Sequence, residues 1–419
     1  HLKPVILLTI AYALSSLVGF LINLFAAKRL EVHTFGLFSL AYATTTWIAV
    51  IGDLGVGASM IRLYNKYKED KDKQKAILSS ALLWELAIFL FITFASPLLT
   101  YLLLKTLGLS PEEAFYLFLI SFLSGGIFVL WMYCQEYLRA KESFILLSFS
   151  VFMYSFFRIS FLVIVYFTYP KSPMAWLLIS YLIPLLPILV FFFFRSSSLI
   201  SPFPQSFLYI KEILAYSRWI ALASIAGSSI LYVSRFILAK VSTLEEVGIF
   251  SAGVNLAMGL GILYNGLYSF LYPKVTAFER EQIKKYFRLL RKVFPLYFLA
   301  SLLGILFLGF ILWYFLGEKY APAIPVFLIV SVLFTLSAIL GLVSILLHTF
   351  MKPEVIAYVN IFRVLFAGVL TYILSPYFGA VGAALAYGLA LVLGDVYMVF
   401  RVMMYIKKEE CICLKRELI

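Results

Sequence analysis

An all-α membrane protein of twelve spanning helices, arranged as two similar halves, is the fold this sequence predicts. Three observations carry the expectation. Of 419 residues, 63% are apolar and only 13% charged, whereas a soluble domain runs about 45–50% apolar and about 25% charged. No soluble globule of this size could bury so much apolar surface, so a soluble enzyme, a disordered chain and a disulfide scaffold are excluded. The apolar residues fall into twelve runs, each at least as long as the ~20 residues needed to cross the hydrocarbon core. The basic residues between those runs alternate from rich to poor, as the loops of a polytopic chain do.

The runs are set off by charge, proline and glycine. The first, 5–27, ends before Lys28 and Arg29. The second, 35–61, ends before the charged stretch Arg62 to Lys75. The third, 77–104, stops before Lys105, and the fourth, 114–134, lies between Glu113 and Glu136. The fifth, 145–168, precedes Pro170 and Lys171, and the sixth, 174–194, lies between Pro173 and Arg195. The second half repeats the scheme: 219–239 before Lys240, 247–271 before Lys274, 293–315 before Gly317, 323–347 before His348, 355–375 before Pro376, and 381–405 before Lys407. Lipid admits only helices or closed barrels. These runs are too long for barrel strands of about 9–11 residues.

Loops after even-numbered spans, with both termini and Arg401 in the last turn of the twelfth run, hold 25 of the 34 basic residues, loops after odd-numbered spans hold six, and three lie deeper inside spans. The positive-inside rule then places both termini in the cytoplasm. The net charge of +13 lies wholly on the even side, because odd loops and span interiors each sum to zero. It is an orientation signal, and nucleic acid is not a partner. The first run is too long for a secretory h-region, so no cleaved signal peptide is expected.

Segments repeat. Ala27-Lys28 and Gly36 to Ser39 recur as Ala239-Lys240 and Gly248 to Ser251, at an offset of 212. Phe157-Arg158 and Phe161 recur as Phe362-Arg363 and Phe366, offset 205, and Pro170 and Tyr181 as Pro376 and Tyr387, offset 206. The offset spans six helices, an even number, so the copies run parallel, and transporters of that kind bind substrate between their halves. The expected organisation is an N-lobe at 1–194, an interfacial cytoplasmic linker at 195–218, a C-lobe at 219–405 and a cytoplasmic tail at 406–419. Phe207, Ile210, Ile213 and Leu214 recur at helical spacing and predict a short interfacial helix within the linker.

Charges inside spans are the candidate functional residues. Each costs roughly 2.5–3.5 kcal/mol at a span centre. Three are arginines, Arg158, Arg235 and Arg363, and three are acids, Asp53, Glu85 and Asp395. Two readings are open. Three ion pairs would tie helices together. Alternatively the arginines line a polar cavity that receives an anion, and guanidinium suits phosphate through bidentate bonding. Arg158 and Arg363 hold equivalent places in the two copies, which favours the second. The acids either couple transport to H⁺ or Na⁺ or neutralise the arginines. Asp53 precedes Gly55 and Gly57 and could instead cap a helix break.

Other chemistry finds little support. No Walker A loop, zinc-helix motif or Ser-His-Asp order is present, and odd-side loops are too short for an outer catalytic domain. No enzyme, cofactor or metal site is therefore expected. Cys411 and Cys413 lack a second ligand pair.

Several segments resemble one family. Ala27 to Leu30, Phe35 to Ala41 and Asp53 to Arg62 resemble the N-terminal signature of polysaccharide flippases, and Leu138 to Phe144 resembles their loop after the fourth span. Ser234 to Lys240, Val247 to Ala252, Phe315 to Pro322 and Phe378 to Ala384 resemble later signatures. The chain is identified as similar to the Wzx-type O-antigen flippases of the multidrug/oligosaccharidyl-lipid/polysaccharide (MOP) superfamily. The resemblance implies a V-shaped pair of six-helix lobes and alternating access. It implies a substrate made of oligosaccharide on polyprenyl pyrophosphate, whose headgroup crosses a cationic central cavity. Membrane lipids, and a polysaccharide polymerase or glycosyltransferases, are the implied partners. In one respect the chain departs: the family often has an acid just before the arginine at position 235, and here Ser234 stands there. The alternatives are a multidrug/cation antiporter, which would want an acid in the first span, and a peptidoglycan lipid-precursor flippase, which typically has fourteen spans.

Overall fold

A computed structural model describes residues 2–195, 207–276, 280–350 and 353–417, and every regular element among them is a helix. In chain order these are α1 Leu2–Arg29, α2 Val32–Asp53, α3 Val56–Lys66, α4 Lys71–Leu107, α5 Pro111–Ala140, α6 Phe144–Thr168, α7 Pro173–Ser180 and α8 Leu182–Arg195. There follow α9 Ile210–Val241, α10 Leu244–Ala257, α11 Gly261–Thr276, α12 Arg280–Phe310, α13 Ala323–Ser344, α14 Leu346–Thr349 and α15 Pro353–Glu417. Part of the predicted linker, 196–206, lies outside the described residues. The short helix expected there is the opening of α9, which runs unbroken into the seventh span.

Eleven stretches among the described residues are long and apolar enough to cross a membrane. The last, Glu354–Lys407, has 54 residues. It would measure about 80 Å as one straight helix, against a hydrocarbon core of about 30 Å. It is two crossings. At Gly379 the backbone leaves helical geometry, with φ 53° and ψ −131°. The chain then folds back so tightly that a Cβ on Gly382 would stand 2.8 Å from the backbone carbonyl of Leu374. The two arms are the predicted eleventh and twelfth spans.

Two spans of the first half are broken, each by a local cause. Between α2 and α3, Leu54 and Gly55 take left-handed conformations, with φ 46° and 70°. Asp53 caps the break, its carboxylate accepting from the backbone N–H of Gly55 at 3.0 Å and of Gly57 at 3.3 Å. Between α7 and α8, Pro184 has no N–H to give the carbonyl four residues back, at Ser180, and its ring crowds that oxygen. Ser180 O accepts instead from the Tyr154 hydroxyl at 2.7 Å. At the polar end of α4, Asp70 accepts from Lys73 N at 3.0 Å, and this bond holds its carboxyl below the usual carboxylate range.

By backbone contact the chain forms two units, one of His1–Tyr232 with Thr243–Gly248, the other of Val233–Ser242 with Ile249–Ile419. In the first, α5 is central, packing against α2, α3, α4 and α8, with Trp131, Tyr133 and Phe118 fully buried. In the second, α13 lies along α15, and Leu342, Leu346 and Val402 fill a core. Equivalent spans pair alike within each unit. The fifth span (α6) packs on the first (α1). The eleventh packs on the seventh, where Gly368 faces Val233 and Ile237 and Thr371 bonds Ser234.

Within the first unit α2 crosses the start of α10 at two glycines. A Cβ on Gly36 would overlap the carbonyl oxygen of Leu244, and one on Gly248 would overlap that of Val32. The contact is reciprocal under the repeat, since Val32 and Gly36 correspond to Leu244 and Gly248. Backbones this close leave no room for a methyl group. Gly36→Ala and Gly248→Ala should each cost about 1–3 kcal/mol as overpacking, read as a lowered melting temperature in detergent. An unchanged melting temperature in both would show that the helices separate freely there.

Candidate functional site

The six charges inside spans do not resolve into three ion pairs. Arg363 is matched by an acid, Asp395, at 2.8 Å. Among the described residues Arg158 has no carboxylate partner, and two of the acids, Asp53 and Glu85, lie near each other.

Arg158 sits mid-way along α6 and is 4% exposed. Its Nη1 donates to the carbonyl of Ser15 on α1 at 3.3 Å. Gly19, one turn further along α1, admits the guanidinium, because a Cβ there would stand 3.2 Å from Nη2. Tyrosines supply the rest of the shell. The Tyr154 ring, one turn away on α6, lies 5.0 Å from the guanidinium carbon. Tyr42 of α2 lies within electrostatic reach of both Arg158 and Tyr181, and its ring is 4.9 Å from that of Tyr181 at the α7–α8 break. The Pro184 break therefore has a local consequence. It frees the carbonyl that holds Tyr154 and sets Tyr181 at the corner beside the arginine. The Nε of Arg158 is buried without a partner. A carbonyl and a ring face thus meet a full positive charge, and among the described residues no carboxylate pairs with it.

In the second unit Arg363 is held from several sides. It pairs with Asp395 and also donates to Leu391 O at 3.0 Å and Asn360 Oδ1 at 3.2 Å. Ser337 of α13 donates to the other oxygen of Asp395 at 2.5 Å. Residue 394 is glycine for a steric reason: its Cα touches the Arg363 side chain, and any Cβ would collide with Nε. Tyr264 of α11 stands close enough to feel both charges. Arg235, 3% exposed on α9, donates to Asn255 Oδ1 at 2.7 Å. Asn255, an uncharged acceptor on α10, thus serves Arg235 where Ser234 replaces the acid expected beside it.

Asp53 and Glu85 form part of a third cluster. Glu85, 1% exposed on α4, has an Oε2 without a partner and interacts electrostatically with Asp53. A third acid, Glu136 of α5, joins them. Its Cγ approaches Gly57 so closely that a Cβ there would stand 2.5 Å away, and it interacts with Asp53. Arg139 pairs with Glu136 at 2.5 Å and bonds the Tyr12 hydroxyl, which in turn donates to Gln135. From the sequence Glu136 and Arg139 were expected in a loop. The last turns of α5 instead carry them against the helix break. No group of three or more His, Cys, Asp or Glu side chains among the described residues could hold a metal ion.

Sequence reasoning missed the tyrosine shell, Glu136, Asn255 and Ser337. Tyr154 had a usable signal, being four residues from Arg158 on one helix face. Tyr181 had another in its repeat match to Tyr387. For Asn255 and Ser337 a single sequence carries no signal.

This helix arrangement is a known one: it is the fold of MOP-superfamily transporters. An inward-facing multidrug resistance transporter of the MATE family superposes with a TM-score of 0.78 at 14% identity, covering 97% of this chain and 98% of that one. The lipid II flippase MurJ, inward closed, gives 0.75 at 16% identity, covering 95% and 87%. A MOP-superfamily transporter from Pyrococcus furiosus gives 0.69 at 17%, covering 97% and 96%. The family model for polysaccharide biosynthesis proteins matches residues 1–278. A candidate O-antigen transporter of Shigella flexneri is 21% identical over 396 residues, 91% of this chain and 93% of that protein. The chain belongs to the polysaccharide biosynthesis protein family, and is a multi-pass membrane protein of that family.

Proposed function

We propose that this protein is a flippase that moves an oligosaccharide on polyprenyl pyrophosphate from the cytoplasmic to the outer leaflet of the inner membrane. Both termini are cytoplasmic in this reading, and the protein carries out no covalent chemistry. One observation carries it: Arg158 is a buried guanidinium with no carboxylate partner, in a family whose name is polysaccharide biosynthesis. A charge held at such cost needs a compensating use, and a pyrophosphate supplies it. Two phosphates offer a planar fork several oxygens to meet. The tyrosine hydroxyls around the arginine can turn to the same anion. Arg235 and Arg363 are further anion contacts in this reading, Arg363 only once Asp395 lets go. With the shell closed Arg158 is 4% exposed, so the anion enters in another stage of an alternating-access cycle.

The test of the function is accumulation and rescue. A strain lacking its own flippase builds lipid-linked oligosaccharide on the cytoplasmic side. This chain should clear that pool and restore surface polysaccharide. Failure to clear it, with normal membrane insertion, would sink the reading. Efflux of cationic dyes by the same strain would favour the antiporter instead, and rescue of peptidoglycan precursor export would favour the lipid-precursor flippase.

Coupling to H⁺ or Na⁺ belongs to the same proposal. Glu85 is the acid best suited to it, because its Oε2 has no partner and its electrostatic neighbour is another carboxyl. Glu85→Gln should leave exchange of substrate intact while removing its acceleration by an imposed proton or sodium gradient, measured in proteoliposomes. Unaltered gradient dependence would remove Glu85 from the coupling.

A further inference from the structure

A second apolar site lies in the first unit, away from the buried charges. A cavity of about 230 Å³ opens where the ends of α5, α6 and α8 meet. Trp131 of α5, Leu146 of α6, and Ile188 and Phe191 of α8 line it, and Lys141 and Ser143 from the α5–α6 turn line its end. Lys141 is exposed. This end of the bundle carries the chain's basic excess.

Three features narrow the occupant. The first is chemical: largely aliphatic and aromatic walls, with an ammonium and the Ser143 hydroxyl at one end and only the uncharged Ser150, Tyr137 and Cys134 groups elsewhere among the described lining residues, match an amphiphile with a single anionic head. The second is size. An apolar cavity of about 150 Å³ holds a benzene-sized molecule, so this one accepts a segment of hydrocarbon chain but no second headgroup. From Ser143 to Ser150, both of which line it, α6 descends about 10 Å. That is the depth over which headgroup gives way to acyl chain. The third is exposure. The surface around the groove faces lipid, with Ile145, Phe149 and Phe191 exposed by 66%, 52% and 52%. The site is therefore reached from the bilayer. Among the described residues Lys141 is also the only charged group lining the groove. Glu142 beside it is exposed and is not part of the lining.

We infer that this groove binds a phospholipid of anionic headgroup, its phosphate at Lys141 and Ser143 and one acyl chain between α6 and α8. The site is separate from Arg158 and does not depend on the substrate assigned to that residue. A lipid wedged there bridges α5, α6 and α8, the helices that carry Glu136, Arg158 and the Pro184 break.

The experiment uses the full chain in bilayer discs of equal phosphatidylglycerol and phosphatidylcholine, with retained lipid identified by native mass spectrometry. Wild type should keep phosphatidylglycerol over phosphatidylcholine by about fivefold, the factor one lysine contributes near an anionic surface. Lys141→Gln should abolish the preference, and Lys171→Gln, at the opposite end, should leave it. Ser150→Phe should fill the groove and reduce retention of both lipids. Because Lys141 is exposed, its variant folds and decides the matter even where Ser150→Phe does not fold. An unchanged preference in Lys141→Gln overturns the proposal. So does displacement of the bound lipid by millimolar inorganic phosphate, which would make the site one for the free anion.

Discussion

Arg158→Met abolishes transport and leaves the protein folded, at least as stable as the wild type. Both halves of this expectation follow from the same fact. Arg158 is buried with only Ser15 O and tyrosines around it, so its charge is a burden on the resting protein, roughly 2.5–3.5 kcal/mol on insertion scales. Methionine keeps much of the volume and adapts its shape, and removes that burden. Transport suffers because the substrate loses two charge-assisted bonds of about 1.5–3 kcal/mol each. The clearing of lipid-linked oligosaccharide should fall by about 100-fold or more. Arg158→Lys keeps the charge but not the fork, and should stand between the two. The readouts are intermediate accumulation and melting temperature on the same preparations. A Met variant that transports normally would remove Arg158 from the substrate path. One that melts much lower would make it a structural residue.

Arg363 occupies the equivalent place in the repeat, and its replacement should behave in the opposite way. Arg363→Ala strips Asp395 of its partner and leaves a carboxylate beside Ser337 inside the second unit. Breaking a buried pair from one side costs about 3–5 kcal/mol. Asp395→Ala should cost a similar amount by stranding the guanidinium. Removing both at once leaves no uncompensated charge, so the double variant Arg363→Leu with Asp395→Leu should recover most of the loss. Melting temperatures of the two single variants and the double variant, taken as a cycle, check this. Strictly additive losses would mean that the two groups do not act as a pair. Transport in the double variant then tells whether Arg363 does more than hold helices together. A stable double variant that clears the lipid-linked pool makes the pair purely structural, and a stable but inactive one gives Arg363 a part in the cycle.

The fold was largely legible because lipid is a severe solvent. It demands helices of a set length, and it sorts lysine and arginine by loop. The spans, their alternation and the doubling around an offset of 205–212 residues can therefore be counted from one chain. Local breaks were legible too where their cause is local. Gly55 and Gly57 after Asp53 made a capped break one of the readings open for that acid, and the structure has the cap. The seam between the last two spans needed the structure only to show that Gly379 turns the chain back on itself.

The site was legible as a set of residues but not as a set of partners. Burial in lipid makes any charge conspicuous, so Arg158, Arg235, Arg363, Asp53, Glu85 and Asp395 all stand out in the sequence. Their sum of zero left three ion pairs open as one of two readings. The tertiary structure instead gave Asp395 to Arg363, put Asp53 beside Glu85, drew in Glu136 from what read as a loop, and left Arg158 among tyrosines. The physical reason is that insertion into the membrane acts on each helix separately and writes itself into composition and period. Which charge meets which is decided by the rotation and depth at which helices pack, and those depend on small contacts such as Gly19 against Arg158 and Gly394 against Arg363. Net charge records none of this. Two arginines at matching places in a duplicated chain thus came to opposite electrostatic states, one neutralised by a carboxylate and one not.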